Sequence, residues 1–131
     1  MQYFQPECMP ESAAPFSQVV IDDNYVHLAG IVAADFPIGE AVLGDVGKET
    51  DAVLSMIKLI LAELGMEMDT VVRVDVHLSN LDDFDAMDAV YREHFETGQY
   101  PARTTTESSR LFGGSKVEIT CMAAIPLLRT E

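Results

Sequence analysis

The residues best suited to chemistry are an arginine and a glutamate in the last two predicted strands of the chain. Strand alternation places Arg103, Thr105 and Glu107 on one face, because successive side chains of a strand point to opposite sides. In the following strand it places Glu118 and Thr120 opposite an apolar face. We therefore expect Arg103 and Glu118 to share one polar face. A planar guanidinium offers paired donors to a carboxylate, so this pattern indicates capture of a small carboxylate. From the strand pattern alone, the other interpretation of Arg103 is a surface or ion-pair residue.

The elements that must position these side chains follow from the periodicity of apolar residues. The predicted strands cover 19–21, 25–29, 71–78, 102–107 and 116–125, and the predicted helices cover 47–64 and a segment from Asp83 towards Gly98. Gly65 is the expected stop of the first helix, and Asn80 is the expected cap of the second. The order ββαβαββ, with two helices packed on one face of a mixed β-sheet, predicts an α+β fold.

The segment 71–78 alternates strictly and is predicted to be a strand covered on one face. Its apolar side is expected to contain Val72, Val74, Val76 and Leu78. Arg73, Asp75 and His77 then lie on the opposite face, which has no helix to cover it. Such a face favours assembly with further copies of the chain.

Length and proline content predict how the chain is organised. With 131 residues, it is expected to form a single domain over 1–131 with one core. Residues 1–15 contain three prolines and no apolar period, so they are interpreted as an irregular N-terminal lead-in. Ordered structure is expected to begin near Phe16.

Composition narrows the expected partners and location. The formal net charge of −14 argues against binding to nucleic acid or to anionic membranes. The apolar runs are too short to span a bilayer, and the N-terminus lacks an export pattern, so a cytoplasmic location is predicted. Two cysteines and three histidines have no metal-ligand spacing, which predicts free thiols and no metal site.

Motifs from about Pro15 to Ile125 resemble the Rid family (reactive intermediate deaminase, YjgF-type). They are P-F-S-Q at 15–18, Ala29-Gly30, Gly39-Glu40, L-x-E-L-G at 61–65, V-V-R-V-D-V-H-L at 71–78, D-D-F at 82–84, V-Y at 90–91, P-A-R at 101–103 and V-E-I at 117–119. The resemblance implies a chorismate-mutase-like (YjgF-type) fold and a homotrimer with three clefts between subunits. It also implies hydrolytic deamination of 2-imino or enamine acids to 2-oxo acids and ammonia, without metal or organic cofactor.

The same resemblance implies roles for particular residues. Arg103 matches the arginine that grips the carboxylate of a 2-imino acid, and Glu118 matches the glutamate that positions or activates the hydrolytic water. The backbone N–H of Gly30 is expected to approach the substrate closely, since glycine has no side chain to block it.

Four expected pocket positions depart from the family pattern. Phe16 replaces a tyrosine, Ala29 a serine, Asp88 an asparagine and Thr105 a cysteine. These changes leave two hypotheses open. The first is an imine deaminase with an altered substrate range; the second is a non-catalytic protein of the same fold that binds a small carboxylate or a protein partner, or acts as a holdase.

Overall fold

The computed structural model describes residues 1–126, so residues 127–131 of the predicted single domain lie outside it. The strands are β1 Gln2–Phe4, β2 Val19–Ile21, β3 Tyr25–Leu28, β4 Ile31–Val32, β5 Val71–Leu78, β6 Ala102–Glu107 and β7 Val117–Ala124, and the α-helices are α1 Pro37–Glu40, α2 Val46–Glu63 and α3 Phe84–Tyr91. All seven predicted elements are therefore present. The prediction of one domain over 1–131 stays a prediction.

The seven strands form one mixed sheet. Its strand order is β1-β2-β3-β7-β5-β6, and β4 pairs with β7 beside this path. Only the β5–β6 pair is parallel among the pairings described, and β6 lies at the edge of the sheet. The mixed sheet with its helices confirms the predicted α+β class.

The core lies between one face of the sheet and α2 with α3. Val74, Val76 and Ile119 are buried from the sheet side, and Leu54 and Ile57 are buried from α2. Apolar residues at helical spacing give α2 its buried stripe, and Asp45 caps its start by accepting the N–H of Lys48 at 3.0 Å. Gly65, at a φ of 71°, follows the end of α2 as predicted.

The second helix is shorter than its apolar stripe suggested. Asn80 caps a 3-10 turn at Leu81–Asp83, and α3 then ends at Tyr91. A second 3-10 turn, Arg92–His94, follows directly. Arg92 therefore lies immediately beyond the last residue of α3.

The N-terminal segment corrects one expectation. Gln2–Phe4 pair with β2 as an edge strand, so the prediction of an irregular lead-in over 1–15 is wrong for these residues. Three residues are too short a run for alternation to be detected. Glu63 holds the following loop by accepting the N–H groups of Glu7 at 2.8 Å and Cys8 at 3.0 Å.

Strand β5 corrects another expectation. A shift in register between Val71 and Arg73 leaves Val72 exposed and Val71 buried. The extra residue of a β-bulge reverses the alternation before it, so Val72 does not join the apolar side. From Arg73 onward the predicted faces hold. No helix among residues 1–126 is long and apolar enough to cross a membrane.

Candidate functional site

Arg103 lies on the edge strand β6 and is largely covered, with 20% of its side chain exposed. Its guanidinium carbon is 4.6 Å from the centre of the Tyr91 ring and 5.4 Å from the centre of the Phe84 ring. Both rings belong to α3, and the face of an aromatic ring attracts a cation that lies above it. The helix therefore holds Arg103 from one side and leaves its position well defined.

Asp88 of α3 forms an ion pair with this arginine. Its Oδ1 is 2.7 Å from Nη1 of Arg103, and its Oδ2 accepts a hydrogen bond of 2.9 Å from Nη2 of Arg92. Burial of the carboxyl acts to raise the pKa of Asp88, but the two arginines outweigh it and hold that pKa below its usual value. Asp88 is therefore an anion bound between two cations.

A pocket of about 230 Å³ opens at this ion pair, which we call the arginine pocket. It is lined by Asp88, Tyr91, Arg92, Tyr100, Pro101 and Arg103. Burial raises the pKa of Tyr91 to about 12 although Arg103 acts to lower it, so the phenol is neutral at physiological pH. The pocket combines guanidinium donors with aromatic walls, an arrangement that can bind a small carboxylate.

Glu118 lies in a second, larger pocket of about 760 Å³, which we call the glutamate pocket. Its walls are residues 9–14, Phe16, Gln18, Ala29, Gly30, Val32, Ala34, Asp35, Phe112, Glu118 and Thr120. Three of the residues predicted from sequence, Phe16, Ala29 and Gly30, thus line the same pocket as Glu118. Burial raises the pKa of Asp35 despite the N–H of Val32 that its Oδ2 accepts at 3.1 Å.

Gly30 is placed against Glu118 by the pairing of β4 with β7. Val32 is in register with Glu118, and Ile31 with Ile119. A Cβ atom at Gly30 would lie 2.9 Å from Oγ1 of Thr120 and 3.0 Å from the carboxyl carbon of Glu118. Only glycine fits this position without displacing those side chains.

The structure contradicts the expectation that Arg103 and Glu118 share one face of the sheet. Arg103 is in register with Val74 of β5, whereas Glu118 is in register with His77. Residues in register share a face, and Val74 and His77 point to opposite sides. Alternation within each strand was predicted correctly, but it does not fix how two strands are aligned. The two residues therefore belong to two separate pockets in one chain.

Thr105 lies half-buried on the same face as Arg103, yet it lines neither pocket. Sequence reasoning missed Tyr91, Arg92 and Tyr100 in the arginine pocket. It also missed Gln18, Asp35 and Thr120 as walls of the glutamate pocket. The spacing of four residues between Asp88 and Arg92 was a usable signal, because such residues are neighbours on a helix. Within the described residues, no group of three His, Cys, Asp or Glu side chains is arranged to hold a metal ion.

Comparison with curated proteins finds relatives along most of the chain. A RutC family protein of Pyrococcus abyssi is 38% identical over 117 residues, which cover 89% of this chain and 91% of that protein. The 2-iminobutanoate/2-iminopropanoate deaminase of Homo sapiens is 30% identical over 114 residues, which cover 87% of this chain and 82% of that protein.

Comparison with solved structures confirms the predicted YjgF-type, chorismate-mutase-like fold. A putative endoribonuclease from Thermotoga maritima superposes with a TM-score of 0.85 at 28% identity, covering 96% of this chain and 98% of that chain. The family model described as Endoribonuclease L-PSP matches residues 7–125. The chain therefore belongs to the Endoribonuclease L-PSP family, also called the Rid or YjgF family.

Proposed function

We propose that this chain hydrolyses 2-imino and enamine acids to 2-oxo acids and ammonia. The observation that carries the proposal is Arg103, fixed over Tyr91 in a pocket sized for a small carboxylate. A guanidinium held in this way fixes the position of a bound carboxylate and hence of the carbon beside it. Relatives named as imine deaminases, matched along most of the chain, support the same reaction class.

The active unit in this proposal is a homotrimer with clefts between subunits. Arg103 and Glu118 lie on opposite faces of the sheet in one chain. A cleft that contains both groups is formed most simply when the arginine pocket of one subunit meets the glutamate pocket of its neighbour. The uncovered sheet face, with Arg73, Asp75 and His77, supports such assembly.

The chemistry assigned to the cleft is addition of water to the imine carbon. Arg103 binds the substrate carboxylate, and Glu118 accepts a proton from the water as its oxygen bonds to carbon. The electron pair of the carbon–nitrogen double bond moves to the nitrogen, which takes up the proton held by Glu118 and gives a carbinolamine. The hydroxyl proton of that carbinolamine then passes to the nitrogen as the remaining carbon–nitrogen bond breaks. Ammonia leaves, and the carbon retains the oxygen as a 2-oxo group.

A second candidate function is binding of a small carboxylate without turnover, or a role as a partner-binding module or holdase. The observation that favours it is the ion pair of 2.7 Å between Asp88 and Arg103, which occupies part of the guanidinium. Phe16 and Ala29, in the glutamate pocket, carry no hydroxyl group. In this case 2-oxobutanoate binds in calorimetry, but imines are not hydrolysed faster than in buffer.

The test is ammonia release from an imine generated in place by an amino-acid oxidase, with semicarbazide as a competing trap. Arg103→Ala is expected to lower kcat/KM at least about 100-fold, because it removes charge-assisted bonds to the carboxylate. The variant should keep the assembly state of the wild type, measured by sedimentation.

Lys58→Ala is the matched control, since it removes one positive charge from an exposed position of α2. It should leave turnover unchanged. Turnover retained by Arg103→Ala would reject the assigned role of the arginine. Wild-type protein that binds 2-oxobutanoate but releases no additional ammonia would establish the second candidate instead.

A further inference from the structure

Asp88 links two arginines that line the same pocket. Its Oδ1 is 2.7 Å from Nη1 of Arg103, and its Oδ2 is 2.9 Å from Nη2 of Arg92. They are two of only eight lysines and arginines in a chain with a net charge of −14, and both line this one pocket. The arginine pocket therefore holds two cations and one anion.

The charges in this pocket bear directly on carboxylate binding. Asp88 alone would cancel the charge of Arg103 and repel an incoming carboxylate at close range. Arg92 binds the other oxygen of Asp88 and counters that repulsion. When a carboxylate is bound to Arg103, positive and negative charges alternate along Arg92, Asp88, Arg103 and the ligand.

A purely structural explanation must be weighed against this. Arg92 and Asp88 are four residues apart at the end of α3, and such pairs contribute weakly to helix stability when they are exposed. Asp88, however, is 23% exposed, and its other oxygen contacts the arginine of the pocket. The pair is thus continuous with the ligand-binding group rather than confined to the helix surface.

We propose that Arg92 is a positioning residue for the carboxylate ligand: by neutralising Asp88, it leaves Arg103 able to bind that ligand. This inference rests on the carboxylate binding assigned to Arg103 above, but not on turnover. It makes Arg92 and Asp88 a functional pair, so the effect of removing Arg92 depends on whether position 88 is charged.

The experiment is a double-mutant cycle read by calorimetric binding of 2-oxobutanoate. Arg92→Ala should weaken binding about fivefold in the chain that has Asp88, since one partly screened charge is lost. In the Asp88→Asn background the same substitution should change affinity by less than about twofold, because no repulsion remains to be countered. Arg92→Lys should retain most of the affinity, and Lys58→Ala should retain all of it.

The outcomes separate this inference from the proposed reaction. Equal losses in both backgrounds, no loss in either, or an equal loss in Lys58→Ala would overturn the role of Arg92. If Arg92→Ala weakens binding only in the chain that has Asp88, but the wild type does not hydrolyse imines, the role of Arg92 is supported and only the proposed deamination is rejected. Wild-type protein that does not bind 2-oxobutanoate would overturn the role of Arg92, and it would overturn the proposed reaction as well only if it also releases no additional ammonia from the imine.

Discussion

Gly30 is the residue whose identity is most strictly set by its surroundings in the glutamate pocket. A Cβ atom there would stand 2.9 Å from Oγ1 of Thr120 and 3.0 Å from the carboxyl carbon of Glu118. These side chains must shift before alanine fits. In the proposed reaction Glu118 takes a proton from water, so even a small shift changes the distance on which catalysis depends.

Gly30→Ala is therefore expected to lower kcat/KM for imine hydrolysis by about 10- to 100-fold, the scale of a misplaced catalytic group. The melting temperature should change little, because the affected side chains are half-buried. Gly47→Ala is the control: its Cβ would lie 3.5 Å from the nearest atoms, an ordinary contact. If both substitutions leave the rate unchanged, Glu118 has no position-sensitive role in the reaction.

For single residues, the sequence predicted which side chains line a pocket better than it predicted which of them lie together. Phe16, Ala29 and Gly30 were expected at a pocket and lie in one with Glu118. The alternative interpretation of Arg103 was a surface or ion-pair residue; the ion pair is confirmed, with Asp88 as partner, but the side chain is only 20% exposed. That partner is fifteen positions earlier on a helix, and periodicity within one element contains no information about contacts between elements.

A buried carboxyl group ties the start of α2 to the start of β7. Glu49 is fully buried and accepts the N–H of Gly44 and the N–H of Lys116, each at 2.8 Å. Lys116 directly precedes β7, which carries Glu118 two residues further on. Both oxygens of this buried carboxyl group thus have a backbone N–H partner, which offsets the cost of removing the group from water.

Glu49→Gln is expected to lower the free energy of unfolding by about 1–3 kcal/mol, because an amide has one acceptor oxygen and turns its NH₂ towards the second donor. Urea denaturation measures this loss. Glu63→Gln is the matched control: Glu63 also accepts two backbone N–H groups, but it is exposed. Water can replace the hydrogen bond lost in Glu63→Gln, so the free energy of unfolding should fall by less than about 0.5 kcal/mol. Equal losses of unfolding free energy in the two variants would contradict the claim that burial makes the bonds of Glu49 more important.

The long, periodic elements were predictable, and the short ones were not. Helix α2 and strands β5, β6 and β7 have enough residues to establish a period. Strands β1 and β4 have three and two residues, so only tertiary pairing defines them. The bulge at Val72 and the alignment of β6 with β7 through β5 likewise depend on hydrogen bonds between strands. This missing alignment is the reason that Arg103 and Glu118 were assigned to one face.

Within residues 1–126, one face of the sheet is left uncovered by the helices. On it, Arg73 donates to Asp75 at 2.9 Å and to Thr104 at 2.6 Å, and Nδ1 of His77 lies 2.7 Å from Oγ1 of Thr106. Glu118 shares this face, whereas Arg103 lies beyond it, on the helix side of the edge strand. A catalytic cleft with both groups therefore requires a second copy in the proposed trimer.

A cleft shared by two subunits predicts that two inactive variants can restore each other's activity, whereas a site within one chain does not. Arg103→Ala and Glu118→Ala should each be inactive, but trimers reassembled from an equal mixture should regain activity. If each cleft takes its arginine from one subunit and its glutamate from the next, about one quarter of the clefts in a random mixture have both native residues. Imine hydrolysis should thus recover to about one quarter of the wild-type rate, whereas each variant refolded alone stays inactive. A mixture as inactive as its components would place both residues in the same subunit's site, against the separation of the two pockets by the sheet.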